Sequence, residues 1–179
     1  AYLDRHPEGI LEVFLLKGRD DERLGKLVKG LRPLGLTLQW RERGQLDELA
    51  GDSHHQGVVA RVRVQAPGDE NDLVAYLDAL EAPPFLLLLD GVTDPHNLGA
   101  CLRSADAAGV HAVITPRDKS ASITPVVRKV AVGAADSLPF FQVTNLARTM
   151  EMLKERGIWL MGTALEDEAK PLYDVALTG

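Results

Sequence analysis

Four apolar runs, separated by amphipathic segments, dominate the second part of the chain and constrain its fold more than any other feature. The runs are FLLLLD, HAVITP, PFFQV and IWLMGTA, at residues 85–90, 111–116, 139–143 and 158–164. Strands that are apolar on both faces belong in a sheet that is covered on both sides, and helices between them are the usual cover. Apolar residues recur at helical spacing over roughly 97–108, 123–132 and 145–156. The pattern predicts an α/β domain with a parallel sheet.

The first part of the chain has the same rhythm in shorter elements. We predict strands at 11–16, 36–40 and 57–64, a helix at 20–31 and a helical turn at 45–49. The segment QAPGDEND, at 65–72, contains Pro, Gly and three acids, which is typical of a linker. Helical spacing resumes at Leu73 and stops before Pro83. We therefore divide the chain into a domain at 1–66, a linker and connecting helix at 67–81, and a second domain at 82–179.

Composition narrows the classes of function. A hydrophobic fraction of 45% in 179 residues is enough for a packed core. The net charge of -6 argues against loose binding to nucleic acid, although a local basic patch on an acidic chain remains compatible with a specific RNA. One cysteine, Cys101, permits no internal disulfide, and we expect it to be a small buried residue. With no long apolar span, no signal peptide and no metal-ligand spacing, a cytoplasmic protein without metal is the expectation.

The loop at 91–97, GVTDPHN, follows the first apolar run and precedes a helix, a place where ligand sites are often built. It lacks the glycine fingerprint of dinucleotide sites, the P-loop and the nucleophile elbow. The apolar stripe of the next helix, which includes Leu98 and Leu102, faces the sheet, so Arg103 points away from the core. Arg103 is then either a surface residue paired with Asp106 or a binding group. Asn97 is a suitable N-cap for the same helix.

The segment VTDPHNLGACLRSADAAGV, at 92–110, resembles the first signature motif of the SpoU family of RNA ribose 2′-O-methyltransferases. The resemblance continues through VRKVAVGAADSLPFFQVTNLARTM at 127–150, and EVFLLKGRDDERL and HHQGVVARV resemble the small N-terminal domain of a family member. It implies a ribosomal-protein-L30-like domain followed by a SPOUT-type domain, an α/β sheet with a deep trefoil knot. It also implies a homodimer that methylates a guanosine ribose of large-subunit (23S) ribosomal RNA with S-adenosyl-L-methionine.

The resemblance assigns roles to particular residues. The motif's Asn and catalytic Arg correspond to Asn97 and Arg103, and a wall of the cofactor pocket corresponds to Gly162, Thr163 and Ala164. For Arg103 we favour a clamp on the phosphate beside the target ribose, because a guanidinium does not readily lose its proton. The candidate contacts to RNA, each also readable as a plain surface residue, are Lys17, Arg19, His55, Gln56, Arg61 and Arg63.

The resemblance is incomplete at one end. The family's second and third motifs, which form the knot and most of the cofactor contacts, do not occur in this chain, so we expect it to be truncated before them. Two alternatives therefore stay open: an RNA-binding module without catalysis, and an α/β enzyme for a small metabolite, which only the acidic composition favours.

Overall fold

The computed structural model describes residue 3 and residues 6–51, 54–63, 66–163, 169–171 and 174–175. The chain divides into two units, Ala1–Ala66 and Pro67–Gly179. Within the described ranges, no helix is long and apolar enough to cross a bilayer. No group of three or more His, Cys, Asp or Glu in those ranges is placed to hold a metal ion.

The first unit is a three-stranded sheet with two helices. The central strand β1 runs parallel to β2 and antiparallel to β3. The strands are β1 (Ile10–Leu16), β2 (Leu38–Arg41) and β3 (Val58–Val62), and the helices are α1 (Glu22–Leu31) and α2 (Arg43–Ala50). All five correspond to predicted elements, and short 3-10 turns occupy Pro7–Gly9 and Arg32–Leu34.

Local sequence explains where these two helices begin. The Asp21 carboxylate accepts the Leu24 backbone N–H at 3.0 Å, which caps α1. Glu42 and Gln45 form a reciprocal capping box at the start of α2. The apolar stripe of α1 then buries Leu24 and Leu31 against β1.

The second unit is built on a parallel sheet in the order β4-β5-β6, as the sequence predicts. Its strands are β4 (Leu86–Leu88), β5 (Ala112–Pro116) and β6 (Phe140–Val143). Its helices are α3 (Glu70–Ala79), α4 (Pro95–Ala107), α5 (Pro125–Ala131), α6 (Ala134–Ser137) and α7 (Leu146–Glu155).

Apolar clusters lie on both faces of this sheet. Val113 joins a cluster with Leu98 and Leu102 of α4, whereas its neighbour Ile114 joins the opposite cluster with Leu153 of α7. Successive strand residues point to opposite faces, so a strand between two cores must be apolar at every position. This requirement is the physical origin of the continuous apolar runs.

The predicted linker at 65–72 is partly structured. The Gly68 N–H donates to the Phe140 carbonyl at 2.9 Å, and the Gly68 carbonyl accepts the Gln142 N–H at 2.8 Å. Asp69 caps α3, which begins at Glu70. The acids that suggested a linker therefore form the cap and first turn of a helix. Carboxylates are stabilising there, because they interact with the N–H groups that have no partner within the helix.

The predicted strand at 158–164 is wrong for the residues that the structure describes, since 158–163 form no strand. Trp159 is 85% exposed and Met161 is 50% exposed. An apolar run becomes a strand only when another strand pairs with it, and none of the described strands pairs with this segment. Ala164 lies outside the described residues.

Candidate functional site

The start of α4 is fixed by Asp94, not by Asn97. The Asp94 carboxylate accepts the His96 backbone N–H at 2.9 Å, and this bond lowers the pKa of Asp94 below its ordinary value. Pro95 occupies the first helical position, where its missing N–H has no cost. The predicted N-cap role of Asn97 is therefore wrong. Asn97 lies within the first turn with an exposed side chain.

Arg103 is exposed on the face of α4 that points away from the core, as its position in the helical repeat predicts. The predicted ion pair with Asp106 is not formed, and the Asp106 carboxylate instead accepts the Ser137 hydroxyl at 2.8 Å. No described residue makes a hydrogen bond or ion pair with the Arg103 guanidinium. Its five donors are thus available for a ligand.

The position of α4 itself is set by close packing. Leu98 and Leu102 are fully buried, and Cys101, which we predicted to be buried, is half-buried. A Cβ atom on Gly99 would lie 2.7 Å from Val130 Cβ and 3.0 Å from the Val127 carbonyl oxygen of α5. Only glycine permits this approach of the two helices, so α4, which carries Asn97 and Arg103, packs closely against α5.

A second loop borders the first. The Ala121 N–H donates to the Val92 carbonyl at 2.8 Å, which brings residues 117–121 against the loop before α4. Lys119 is exposed there in a left-handed conformation, with a φ of 57°. Sequence reasoning missed Lys119, because its nearness to the 91–97 loop depends on a contact between segments about 30 residues apart in the chain.

The predicted cofactor residues are less constrained. Gly162 and Thr163 are exposed and outside regular structure, and apart from its chain neighbours no described residue has an atom within 4 Å of the Cβ position of Gly162. No described hydrogen bond joins them to Asn97 or Arg103. Their backbone is open to a ligand, while the third predicted residue, Ala164, is not among the described residues.

In the first unit, His55, Gln56 and Gly57 form a tight turn into β3. The His55 carbonyl accepts the Val58 N–H at 3.1 Å, and Gln56 and Gly57 have φ values of 49° and 74°. The His55 side chain is only 4% exposed. Its Nδ1 accepts the Gly57 N–H at 2.9 Å and its Nε2 lies 3.0 Å from Asp47 Oδ1, so the ring holds the turn together. The exposed Gln56 side chain projects from that turn.

The remaining candidate RNA contacts do not all lie together. Lys17 follows β1 and pairs with Glu42 at 3.0 Å. Arg61 pairs with Glu12 at 2.5 Å, and Arg63 is exposed just beyond β3. Gln56 precedes β3, whereas Arg61 and Arg63 lie at its far end, so the two arginines are toward the opposite end of the sheet from Gln56.

The Gln56 end of the sheet opens into a cleft of about 400 Å³, which we call the arginine cleft. It is lined by Leu16, Arg19, Arg23, Arg43, His55, Gln56 and Gly57. Arg19 donates to the Gln56 carbonyl and to Asp21. Arg23 and Arg43 were not among the sequence-derived candidates. Their positions near the starts of two different helices become meaningful only when both helices approach the same turn.

Comparison with solved structures defines the class of fold. The SpoU methyltransferase AviRb from Streptomyces viridochromogenes, solved with AdoMet, superposes with a TM-score of 0.61 at 22% identity over 83% of this chain and 52% of that one. A putative RNA methyltransferase of the TrmH family from Porphyromonas gingivalis gives 0.58 at 20% identity over 95% of this chain and 62% of that one. The chain spans about half the length of the first structure. The fold is that of the SpoU methyltransferases.

Sequence comparison gives the family. Residues 84–179 match the SpoU rRNA Methylase family, and residues 1–67 match the RNA 2′-O ribose methyltransferase substrate-binding family. The 23S rRNA (guanosine-2′-O-)-methyltransferase RlmB of Pectobacterium atrosepticum is 57% identical over 179 residues, which are 100% of this chain and 72% of that protein. The same enzyme of Escherichia coli K12 is 54% identical over all of this chain and 73% of that protein.

The chain therefore belongs to the SpoU rRNA methylase family. The predicted fold class, and the predicted class of S-adenosylmethionine-dependent RNA methyltransferase, are confirmed.

Proposed function

We propose that the protein of which this chain forms part transfers a methyl group from S-adenosylmethionine to the 2′-hydroxyl of a guanosine ribose in 23S rRNA. The choice of substrate rests on the relatives, which are 54–57% identical along the whole chain. The observation that carries the catalytic part is Arg103, an exposed guanidinium that pairs with no described residue and lies on a helix packed closely against α5. A bacterial ribosomal RNA substrate would place the reaction in the cytoplasm.

The chemistry sets two tasks for the protein. In the transfer, the ribose oxygen forms a bond to the methyl carbon, the carbon–sulfur bond breaks, and the hydroxyl proton leaves to solvent or a nearby base. The hydroxyl is a weak nucleophile, so its oxygen must be held about 3–3.5 Å from the methyl carbon while the proton leaves. The chain must therefore position one nucleotide accurately and stabilise the negative charge that develops on its oxygen.

Arg103 suits the positioning task better than the role of base. A guanidinium keeps its proton in proteins, but its planar fork binds phosphate oxygens in pairs. We assign Arg103 to the phosphate next to the target ribose, where it also stabilises developing negative charge. Asn97 precedes it by six residues, which is about 9 Å along a helix axis. The two side chains therefore contact different groups of the nucleotide, and we assign Asn97 to the ribose.

Bound S-adenosylmethionine supplies an electrophilic methyl group on a sulfonium. We propose that Gly162, Thr163 and Ala164 form part of its pocket wall. The open Cβ side of Gly162 supports this assignment, since a ligand can approach the backbone there without meeting a side chain.

The test compares two substitutions of Arg103 in a full-length protein. Arg103→Ala should reduce the rate of methyl transfer by about 100-fold or more and leave the affinity for S-adenosylhomocysteine, measured by calorimetry, nearly unchanged. Arg103→Lys keeps the charge but loses the fork, so it should recover only part of the rate. Arg148→Ala is the matched control, because Arg148 is exposed on α7 and its guanidinium has no described partner.

Two results would contradict the assignment. A fully active Arg103→Lys enzyme would show that paired hydrogen bonds to phosphate are not needed. Absence of cofactor binding in the full-length protein would instead favour a non-catalytic RNA-binding module.

We also propose that two copies associate. Exposed apolar side chains on the second unit, among them Val132 at 73% and Trp159 at 85%, support this proposal because isolated chains seldom leave such groups in water. Analytical ultracentrifugation of the full-length protein checks it, and a monomer at micromolar concentration would contradict it.

A further inference from the structure

Basic charge is distributed unevenly between the two units. The first unit has 11 Lys and Arg against 10 Asp and Glu, whereas the second has 9 against 16. The net charge of -6 therefore comes from the second unit, with -7, while the first carries +1. An RNA that approaches the chain meets least repulsion at the first unit.

The arginine cleft concentrates positive charge within that unit. Arg23 is the second residue of α1 and Arg43 is the first residue of α2, and both side chains are exposed. Two helix N-termini thus border one cleft, but the carboxylates of Asp21 and Glu42 cap them, so the positive charge there comes from the two guanidinium groups. Neither guanidinium has a hydrogen bond or ion pair with another described residue.

Most acids near the cleft are already neutralised. Asp21 is bound by Arg19, which lowers the pKa of its carboxyl. Glu22 pairs with Lys26 at 2.7 Å, and Glu42 pairs with Lys17 at 3.0 Å. Asp47 keeps its negative charge, because it contacts Nε2 of a His55 ring whose Nδ1 accepts the Gly57 N–H and is therefore unprotonated. Asp20 has no partner among the described residues, and no described acid pairs with Arg23 or Arg43.

The wall between them is fixed. Arg19 binds the Gln56 carbonyl, and His55 binds both Asp47 and the Gly57 N–H. This network holds Gln56 in a left-handed conformation that a non-glycine residue seldom adopts. Its exposed amide, which can both donate and accept, is therefore presented at the rim of the cleft.

We infer that the arginine cleft binds a phosphodiester of the RNA substrate, with Arg23 and Arg43 on the phosphate and the Gln56 amide on the adjoining sugar or base. The inference rests on the proposed function. It adds the residues that bind the RNA at a nucleotide other than the one that is methylated. A cleft of about 400 Å³ is larger than a phosphate needs and has room for a nucleotide. Unpaired nucleotides are the part of an RNA that proteins read most readily.

The test is filter binding of in vitro transcribed 23S rRNA to the wild-type chain and to Arg23→Ala/Arg43→Ala over a series of KCl concentrations. The double variant should bind about tenfold more weakly or worse. The negative slope of log K against log salt should become shallower by about 0.7 for each phosphate that the variant no longer neutralises. Both side chains lack partners in the described structure, so the variant should keep the wild-type circular dichroism and melting temperature.

Lys29→Ala/Arg32→Ala is the matched control. It removes the same charge from the other end of α1, at exposed side chains that have no described partner. Its affinity should change less than twofold and its salt slope should be unchanged. Arg23→Lys/Arg43→Lys should recover most of the affinity, because a point charge also serves a phosphate.

Three results would overturn the inference in distinguishable ways. Equally weakened binding in both double alanine variants would show that only net charge matters, while the proposed function stands. Inorganic phosphate that shifts the amide resonances of Arg23 and Arg43, with RNA affinity unchanged in the double variant, would identify a site for free phosphate. If the wild-type chain shows no salt-dependent RNA binding, the RNA-binding part of the proposed function fails as well.

Discussion

Gly99→Ala is the substitution whose effect follows most directly from the packing of α4. The new Cβ would lie 2.7 Å from Val130 Cβ and 3.0 Å from the Val127 carbonyl oxygen. Carbon atoms in favourable contact are about 3.5–4.0 Å apart, so the helices must separate by roughly 0.8 Å. The obstacle is backbone and a branched Cβ, neither of which can rotate away.

Two opposing effects determine how much Gly99→Ala changes the free energy of unfolding of the second unit. Overpacking of this kind costs about 1–3 kcal/mol. Replacing glycine by alanine inside a helix gains about 0.8–1.0 kcal/mol. Gly99→Ala should therefore destabilise the second unit by up to about 2 kcal/mol.

Gly25→Ala is the control that gains helix propensity without a steric clash. The difference in unfolding free energy between the two variants therefore gives the steric cost at Gly99. Gly25 lies at a comparable position in α1, and outside the backbone of α1 no described residue has an atom within 4 Å of its Cβ position, so alanine should stabilise the first unit by about 0.5–1 kcal/mol. Urea denaturation combined with hydrogen exchange and mass spectrometry reports the two units separately. Because α4 carries Arg103, Gly99→Ala should also slow methyl transfer in a full-length protein.

The reasoning would be refuted by equal stabilisation in both variants. That result would mean that α4 and α5 separate at negligible cost and that the close approach at Gly99 does not fix the position of α4.

Two further predictions concern groups that the sequence alone does not single out. The Thr115 hydroxyl is buried and has no partner among the described residues, whereas the buried Thr149 hydroxyl donates to the Asn145 carbonyl at 3.1 Å. In urea titrations, Thr115→Val should therefore stabilise the second unit by about 1 kcal/mol, and Thr149→Val should destabilise it by a similar amount. The same sign for both changes would contradict this account. The Thr144 backbone N–H lowers the pKa of the Glu70 carboxyl, so the hydrogen bond stabilises the fold above the ordinary carboxyl range, and that stabilisation disappears as the pH falls through the lowered pKa. The wild-type advantage over Glu70→Gln in melting temperature should therefore shrink from neutral pH to about pH 3, and an advantage independent of pH would be the contrary result.

The family motif depends on packing as well as on chemistry. In NLGACLR, Leu98, Gly99 and Leu102 fix α4 against the core, while Asn97 and Arg103 remain exposed. The packing of the other residues in this segment thus positions the two side chains that we propose to be functional. A larger residue than Gly99 would push α4 away from α5 and so move both exposed side chains.

The sequence by itself predicted the helices and strands whose apolar residues follow a clear periodic pattern. It also predicted that the Arg103 side chain points away from the core. Continuous apolar strands can arise only where both faces of a sheet are buried, and a helical repeat fixes which side chains leave the core. The start of α4 was placed at the wrong residue, since Asp94 and Asn97 are both good caps and only the fixed geometry of Pro95 separates them.

The tertiary structure decided what depends on contacts between distant segments. Whether the apolar run at 158–164 pairs as a strand depends on a neighbour, and apolar composition reports burial without reporting pairing. The arginine cleft brings Arg23, Arg43 and Gln56 together from two helices and a turn that are separated in the chain. Periodicity describes one element at a time, so a site assembled from several elements becomes visible only when their packing fixes the distances between them.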